Sequence, residues 1–483
     1  MSQALGAKVW VGQEGLATAS GGVHEHHNPA TGAWQASVPL AGRAEVEKAV
    51  AKAQSAFQEW RWMNPSQRRQ ILLKFADLIE ARTEEFARLT TLDGGSPLHF
   101  GGYAVQLAAE WFRYYAGLAD KLTGEVLGTI KNRGEFSYTV PEPIGVVGII
   151  ITWNGPLISL GMKVAPALAA GNCVVVKPAE ITPFAPDLFA RLAAEAGIPD
   201  GVLSLFPGNA EAGQALCEDK RVRLISFTGG PVTARKIMAT CAEQIKPTIM
   251  ELGGKSASLV FPDADLDRAC EEAVRGSIGI LSGQGCAIPT RLLVHDDIYD
   301  EVLARIVAIA REYKVGNPLE EGVQVGPVIS AAACDRITAM LDRVRNEDAG
   351  RILLGGKRCG GELANGYFIE PTIIADVDPW SEISQLEIFG PVLCVMKFTT
   401  EEEAVAIANN TEYGLSAYIQ SRDVSRVHRL AEQLHAGGVY VNGAFQIHAH
   451  TPFGGVGISG FGKEGGRAGL DEYLHYKTVG ILG

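Results

Sequence analysis

The chain has 483 residues, of which 47% are hydrophobic and 20% charged; this composition is typical of a globular protein with two or three domains and argues against disorder. Its net charge is −12 and its basic residues are dispersed, so we expect no nucleic-acid partner. The eight cysteines form no C-x-x-C pair, which argues against a disulfide scaffold or zinc ribbon and suits a reducing cytoplasm. The N-terminal stretch MSQALGAKVWVGQEG has no long apolar core and predicts no secretory signal.

The first third of the chain has the apolar spacing of helices. Apolar residues recur at helical intervals over residues 46–57 and again over 71–79. Ser66 is the expected N-cap of the second helix. The sequence LDGGSP that follows predicts a break in the chain's regular structure.

From about Val140 the chain alternates short β-branched runs with alanine-rich runs. The runs VVGIIIT and NCVVVKP predict buried strands on either side of a helix, and VLSLFPG and RLISFTGG repeat that pattern. This spacing predicts a parallel, doubly wound sheet. The apolar stretch 144–176 is long enough to resemble a membrane span, but Asn154, Pro156, Lys163 and Pro166 interrupt it, so we expect no membrane partner.

Two further segments extend this pattern beyond the middle of the chain. The run TRLLVHDDIYDEVLARIVAIAREYKVG predicts a strand and helix in a second α/β unit. Near the end, LHYKTVGIL alternates like a strand that adds to another sheet, including that of a partner subunit.

Two strand ends have the features of a nucleotide site. Gly229 and Gly230 separate a buried strand from a helix that begins at Pro231, and a helix N-terminus offers N–H groups to phosphate. Lys177 and Glu180 follow another strand, where a carboxylate accepts hydrogen bonds from both ribose hydroxyls and repels a 2′-phosphate, which favours NAD over NADP. An ordinary turn and a solvated ion pair explain these residues equally well when each motif is taken alone.

A separate G-x-G-x-x-G match does not have the context of a dinucleotide site. Gly455, Gly457 and Gly460 lie near the C-terminus, away from the first strand–helix unit that such a motif should open. We interpret this segment as a glycine-rich connecting loop.

Glu251 and Cys286 are candidates for chemistry. Glu251 stands in an apolar run, where burial raises a carboxyl pKa and suits a general base, although a satisfied structural carboxylate has the same signature. Cys286 follows Gly283 and Gly285, which leave room for a ligand, but most cysteines among eight are core residues.

Two histidine clusters are weak candidates for a metal site. In HEHH, adjacent side chains cannot readily share one tetrahedral ion, so we expect a solvated turn. His448 and His450 alternate in IHAH, for which a loop or strand facing a pocket is as good a prediction as a metal site. No metal is therefore expected.

Taken in order, the motifs TWNGP, KPAE, FTGG, MELGGKS, GQGC, EIFGPV, NNTEYGLSA, GGVYVNG and TPFGG resemble the NAD(P)-dependent aldehyde dehydrogenase superfamily over nearly the whole chain. The resemblance implies that Cys286 is the nucleophile, Glu251 the general base and Asn154 the side-chain half of an oxyanion hole. It also implies an NAD site, with NADP the less favoured cofactor. The implied cofactor contacts are Ile150, Thr152, Trp153, Lys177, Glu180, Gly213, Phe227, Thr228, Gly229, Gly230, Leu252, Glu387 and Phe389.

The resemblance implies an α/β fold with three parts. These are a doubly wound parallel-sheet cofactor domain (residues 1–118 and 140–254), an α/β catalytic domain (255–454) and a small β oligomerisation arm (119–139 and 470–483). Family members are usually dimers or tetramers, so a homodimer or homotetramer is expected.

Some positions depart from the family's common pattern. FTGG replaces a frequent F-T-G-S, and Gly155 stands where many relatives carry an aromatic residue. Gly155, with Ser159 and Met162 where bulkier residues are common, implies a wider substrate tunnel and predicts a bulky or apolar aldehyde, aromatic or terpenoid. The expected substrate contacts are Gly155, Ser159, Met162, Phe445, Ile447 and His448.

Three alternatives to an NAD-dependent aldehyde dehydrogenase remain at this point. A CoA-acylating dehydrogenase would pass the acyl group to a thiol, and Glu251 as a base for water argues against it. An NAD-independent thiol hydrolase or acyltransferase would use Cys286 alone. The third alternative is a non-catalytic protein with the same fold, and the presence of Cys286, Glu251 and Asn154 together argues against it.

Overall fold

The computed structural model describes residues 5–128, 135–443 and 447–481. Its strands are β1 (Val9–Val11), β2 (Glu14–Leu16), β3 (Val23–His27), β4 (Trp34–Pro39), β5 (Val126–Leu127), β6 (Phe136–Pro143), β7 (Val146–Ile150), β8 (Cys173–Lys177), β9 (Leu203–Leu205), β10 (Val222–Thr228), β11 (Thr248–Glu251), β12 (Ser256–Val260), β13 (Pro289–His295), β14 (Arg351–Leu354), β15 (Thr372–Ala375), β16 (Val392–Phe398), β17 (Tyr413–Gly414), β18 (Ser416–Gln420), β19 (Gly438–Val441), β20 (Val456–Gly457), β21 (Gly460–Phe461) and β22 (Leu474–Ile481). Its α-helices are α1 (Arg43–Trp60), α2 (Pro65–Ala81), α3 (Thr83–Gly94), α4 (Leu98–Leu118), α5 (Pro156–Ala170), α6 (Phe184–Ala196), α7 (Ala210–Glu218), α8 (Pro231–Ala242), α9 (Leu266–Val274), α10 (Tyr299–Arg311), α11 (Ala331–Asn346), α12 (Glu382–Gln385), α13 (Glu401–Asn409), α14 (Val424–Gln433) and α15 (Gly466–Asp471).

The first sheet has the order β2-β1-β9-β8-β7-β10-β11-β21. Strands β7 to β11 are parallel, with β8 and β9 on one side of β7 and β10 and β11 on the other. Every residue of β7 and β8 is buried, which is why these strands are almost wholly apolar. The chain reverses its direction of winding between β7 and β10, which is where open α/β sheets bind ligands.

The second sheet has the order β14-β15-β16-β13-β12-β18-β19 and is parallel from β15 to β19. The chain passes from the first sheet to the second between Glu251 and Ser256, and β21 returns to the edge of the first sheet beside β11. The predicted fold class is confirmed, because the described residues form two large, mainly parallel sheets and a separate three-stranded sheet, beside the two-stranded sheets β17-β20 and β3-β4.

The small third sheet has the order β22-β6-β5. The strand predicted near the C-terminus is therefore present as β22, and it pairs antiparallel with β6 of the same chain from Leu474 to Ile481. Strand β6 extends to Pro143, four residues past the predicted limit of the arm. Part of that arm, residues 129–134, lies outside the described residues.

Two local predictions near the N-terminus are wrong. Asn64 rather than Ser66 caps α2, since the Asn64 side chain accepts a hydrogen bond from the Ser66 N–H at 2.9 Å. The HEHH segment is not a solvated turn but strand β3, and the His26 ring is 1% exposed and lies 4.7 Å from the Phe184 ring, centroid to centroid. Alternation within β3 buries His26 while its neighbours face water.

Other local predictions are confirmed. Helices α1 and α2 cover both periodic runs of the first third, and α3 ends at Gly95, whose φ of 76° makes the break in LDGGSP. In the part of the chain that the structure describes, no helix is both long and apolar enough to cross a membrane.

Candidate active site

The loops that leave β7 and β10 meet at the switch point of the first sheet. Asn154 follows β7, and Gly229 and Gly230 follow β10, which pairs directly with β7. Helix α8 begins at Pro231, as the sequence predicts. Glu251 is the last residue of β11, the next strand along. These four strand-end residues therefore lie at one edge of the sheet.

Cys286 reaches this edge from the second sheet through a strained segment. A π-helical turn (Arg275–Gly279) leads into Leu281 and Ser282, both with φ near 52°, a conformation that costs about 1–3 kcal/mol for each non-glycine residue. The Ser282 hydroxyl holds this segment in place: it donates a hydrogen bond to the Gly326 carbonyl at 3.0 Å and accepts one from the Gly326 N–H at 2.9 Å. The cysteine is thus presented by a fixed loop.

A hydrogen bond to Gln284 holds Asn154 beside the loop that carries Cys286. The Asn154 side-chain amide donates to the Gln284 carbonyl at 2.8 Å. The buried Gln284 side chain in turn accepts from the Ile329 N–H at 2.8 Å and donates to the Leu281 carbonyl at 3.0 Å. Because a primary amide has two hydrogens, Asn154 is held in place by one and retains the other.

The Cys286 thiol is half-buried. Burial, with smaller contributions from the negative charges of Glu387 and Glu251, raises the pKa of Cys286 to about 12. The backbone N–H groups of Cys286 and Ala287 act in the opposite direction. The thiol must therefore lose its proton to become a nucleophile.

Glu251 is a buried carboxyl with no hydrogen-bond partner in the described part of the chain. It is 3% exposed, and neither of its oxygens has a hydrogen-bond partner among the described residues. Burial, then repulsion from Glu464, raises the pKa of Glu251 well above its ordinary value. The sequence predicts that Glu251 is buried, and the structure confirms this burial.

A buried ion pair beneath Glu251 was not predicted. Lys163 and Glu464 are 0% and 2% exposed and form a salt bridge, and the Lys163 ammonium also donates to Ser226 at 2.9 Å. Lys163 stands out in the sequence as a cation inside an apolar run, but its partner lies 301 residues away. No local pattern joins the two.

A groove of about 380 Å³ adjoins the cysteine. It brings together eight of the predicted cofactor contacts with the three predicted catalytic residues. The cofactor contacts in its wall are Thr152, Trp153, Thr228, Gly229, Gly230, Leu252, Glu387 and Phe389.

One end of the groove holds Glu387 against the glycines that follow Glu251. Glu387 accepts a hydrogen bond from the Gly254 N–H at 3.1 Å. Burial raises the pKa of Glu387 to about 7, while the Gly254 N–H, Lys255 and Arg336 lower it. Arg336 also lines the groove and was not predicted, because it lies on α11, outside every motif.

The remaining predicted cofactor contacts lie further along the sheet edge. A Cβ on Gly213 would lie 3.7 Å from Lys177 and 3.9 Å from Ile150, so only a small residue leaves this space open. The Lys177 ammonium is 3.8 Å from the Glu180 carboxylate, which is partly exposed. The Phe227 ring lies directly below Gly229, where a Cβ would clash at 2.4 Å.

On the other side of Cys286 lies a small apolar cavity of about 60 Å³. Gly155, Ser159, Met162 and Ile447 line it as predicted substrate contacts. His448 is exposed and does not line this cavity, and its role as a substrate contact stays a prediction. Phe445 lies outside the described residues. Apolar wall residues that were not predicted are Phe100, Ile158, Ile280, Leu281, Ile288 and Phe453.

The G-x-G-x-x-G match opens no helix. Gly457 pairs with Tyr413 in a two-stranded sheet, and Gly460 pairs with Glu251 at the edge of the first sheet. His448 and His450 stack on each other, with ring centroids 5.4 Å apart. Across the described ranges, no three histidine, cysteine or acidic side chains come together as a metal site.

Comparison with known proteins gives a consistent result over the whole chain. The model of the aldehyde dehydrogenase family matches residues 17–479. Aldehyde dehydrogenase family 2 member C4 of Arabidopsis thaliana is 41% identical over 98% of this chain and 94% of its own length. A betaine aldehyde dehydrogenase of Bacillus subtilis is 42% identical over 92% of this chain and 91% of its own.

Solved structures agree with this match. A putative aldehyde dehydrogenase from Burkholderia cenocepacia has a TM-score of 0.96 at 39% identity, over 99% of this chain and 97% of that one. PnpE in complex with nicotinamide adenine dinucleotide has a TM-score of 0.95 at 38% identity, over 98% and 97% of the two chains. From the site geometry, the family match and these relatives together, the chain belongs to the aldehyde dehydrogenase family.

Proposed function

We propose that this enzyme oxidises aldehydes to carboxylic acids with NAD as hydride acceptor. The observation that carries the proposal is that Cys286, Glu251 and Asn154 line both the apolar cavity and the groove. A reacting carbon in the cavity therefore faces the thiol, an amide donor and a free carboxyl, next to space for a cofactor.

The groove suits NAD on its own features. Gly229 and Gly230 expose the N-terminus of α8 to the diphosphate, since nothing beyond the backbone covers Gly230. Lys177 and Glu180 offer a cation and a carboxylate to the adenosine ribose, and Glu387 accepts from the hydroxyls of the second ribose. A carboxylate at Glu180 repels a 2′-phosphate, which favours NAD over NADP. When bound, NAD supplies the acceptor for the hydride of the aldehyde carbon.

The chain's own residues account for the other steps. The Cys286 thiol releases its proton to solvent, and its sulfur bonds to the aldehyde carbon, which leaves a negative oxygen. The free hydrogen of the Asn154 amide and the Cys286 N–H donate to that oxygen. Departure of the hydride restores the carbonyl as a thioester on Cys286.

Glu251 is the general base for hydrolysis of the thioester. Its raised pKa makes it a stronger base than an exposed glutamate, so it takes a proton from water while the water oxygen attacks the carbonyl carbon. The carbon–sulfur bond then breaks. In sum, aldehyde, water and NAD⁺ become carboxylate, NADH and two protons.

We infer that the substrate is bulky or apolar, of the aromatic or terpenoid kind. The cavity wall is almost wholly apolar, and a Cβ on Gly155 would have no atom nearer than 3.8 Å, so this position leaves space where a larger residue would intrude. An outer vestibule of about 610 Å³ gives room for the bulk of such a molecule. Higher kcat/KM with acetaldehyde or betaine aldehyde than with aromatic and terpenoid aldehydes would contradict this inference.

We also propose assembly as a homodimer or homotetramer through the three-stranded sheet of β22, β6 and β5. Strand β22 is mostly exposed and, among the described residues, has a free edge opposite β6, which suits pairing with another subunit. Deletion of residues 474–481 is expected to yield a monomer in analytical ultracentrifugation, and an unchanged mass would contradict the proposal.

The proposed reaction is tested by NADH absorbance at 340 nm over an aldehyde panel. Cys286→Ala is expected to abolish turnover while NAD binding, followed by tryptophan fluorescence, persists. Cys359→Ala is the matched control, because Cys359 is the other partly exposed cysteine among the described residues. Unchanged turnover in Cys286→Ala would refute the mechanism.

A further inference from the structure

The vestibule outside the apolar cavity differs from it in chemistry. Phe100 and Ile280 line both spaces, so the vestibule and the apolar cavity adjoin each other. Beyond these two residues its wall is mainly polar and aromatic. The polar and aromatic members of the wall are His99, Tyr103, Arg268, Glu272, Arg275, Tyr313 and Gln324.

Among the described residues, one of the two arginines of the vestibule has no salt-bridge partner. Arg275 donates to both carboxylate oxygens of Glu272, so these two charges offset each other. Arg268, in the first turn of α9, has no salt bridge among the described residues. The charged side chains of the vestibule wall, Arg268, Arg275 and Glu272, therefore sum to one positive charge, on a chain whose net charge is −12.

Two tyrosine hydroxyls add donors to the same wall. Burial raises the pKa of Tyr103 and of Tyr313, so both hydroxyls keep their protons at neutral pH. A guanidinium with phenolic donors is a set that recognises an anionic oxygen group, above all a carboxylate, which accepts from both nitrogens of one arginine.

We propose that the vestibule binds a carboxylate at the far end of the substrate, so that the preferred aldehydes are ω-oxo acids with an apolar middle. This inference rests on the proposed aldehyde oxidation and refines its substrate. The apolar cavity takes the aldehyde end and the connecting carbons, and Arg268 pairs with the carboxylate. A cationic substrate would instead face Arg268, because the carboxylate of Glu272 is already engaged by Arg275.

This assignment separates the chain from several relatives. Curated proteins 38–42% identical to it are named betaine aldehyde dehydrogenases, and one 40% identical is named an aminoaldehyde dehydrogenase. Those names describe aldehydes with a positive nitrogen. The charge of this vestibule predicts the opposite preference.

The test compares three aldehydes of equal length: an ω-oxo acid, the n-alkanal and the ω-amino aldehyde, for chains of six to ten carbons. We expect kcat/KM to be at least about tenfold higher for the ω-oxo acid than for the ω-amino aldehyde at the best length. Raising ionic strength is expected to shrink this ratio, since the pair is partly exposed.

Substitutions of Arg268 test whether this residue causes the preference for ω-oxo acids. Arg268→Gln is expected to lower the ratio of kcat/KM for the ω-oxo acid to that for the n-alkanal about tenfold. Arg268→Glu is expected to favour the ω-amino aldehyde. Arg305→Gln is the matched control and should leave the ratio unchanged. Arg305 is a partly exposed arginine of the neighbouring α10, is bound to Asp267 and Glu301, and does not line the vestibule.

The outcomes distinguish this inference from the proposed function. NADH formation with equal kcat/KM for all three end groups, or an unchanged ratio in Arg268→Gln, would overturn the carboxylate site and leave aldehyde oxidation standing. NADH formation from none of the aldehydes would overturn the proposed function. In that case calorimetry still decides, because tighter binding of the dicarboxylate than of the monocarboxylate of equal length supports the vestibule site and equal binding refutes it.

Discussion

Asn154→Ala tests whether the amide that the structure ties to Gln284 stabilises the reacting oxygen. Two donors are proposed for that oxygen, the Asn154 side chain and the Cys286 N–H, and the substitution removes the first. Loss of one such donor typically costs about 2.7–4 kcal/mol, or about 10²–10³ in kcat. Because the anion develops only during reaction, we expect kcat to fall by this factor with little change in KM.

The assay is NADH formation at saturating NAD with single-turnover mixing, which separates hydride transfer from hydrolysis. Asn410→Ala is the control, because Asn410 has a comparable amide that donates to the Pro379 carbonyl at 3.2 Å, and it lines neither the cavity nor the groove. Titration of the Cys286 thiol with iodoacetamide checks that the site remains assembled. A kcat for Asn154→Ala within about threefold of wild type would refute the oxyanion role.

Three other outcomes are expected. Glu251→Gln should form one equivalent of NADH per site and then stop, and continued turnover would exclude the base role. In the wild type, the hydrolysis rate should fall as the pH decreases through the raised pKa of Glu251, because only the ionised carboxyl takes a proton from water. Glu180→Gln should lower KM for NADP relative to that for NAD, and an unchanged ratio of the two KM values would remove Glu180 from the ribose site. Lys163→Met should lower the free energy of unfolding in urea by about 3–5 kcal/mol, because Glu464 is left buried without its partner. The double variant Lys163→Met/Glu464→Leu should recover most of that loss. An unchanged unfolding midpoint in Lys163→Met would contradict the role of the ion pair.

The parallel strands and the edge at which the site forms could be predicted from sequence, because each relies on a local signal. Buried strands such as β7 and β8 are unbroken apolar runs, and small or polar residues follow them at the ligand-binding edge. The raised pKa of Glu251 is predictable for the same reason, since its neighbours in sequence are apolar.

The parts that sequence reasoning missed depend on residues far apart in the chain. Glu464 meets Lys163 only because the segment after β20 returns to the first sheet, and Arg336 reaches the groove from a helix outside every motif. His26 was misjudged because a histidine-rich segment is polar by composition, whereas the alternation of a strand buries one ring in three. The substrate wall likewise combines residues of α4, α5 and three segments between regular elements, after β7, before β13 and before β20, which no single motif contains.

The pairing of β21 with β11 has a consequence for synthesis on the ribosome. Glu251 of β11 can pair with Gly460 of β21 only after the chain between them has been translated, which takes about 10–40 s at roughly 5–20 residues per second. During that interval the nascent first sheet has an exposed β11 edge that can pair with other chains. Ribosome profiling with selective capture of holdase chaperones should therefore show occupancy that begins after β11 emerges and ends once β21 has left the exit tunnel.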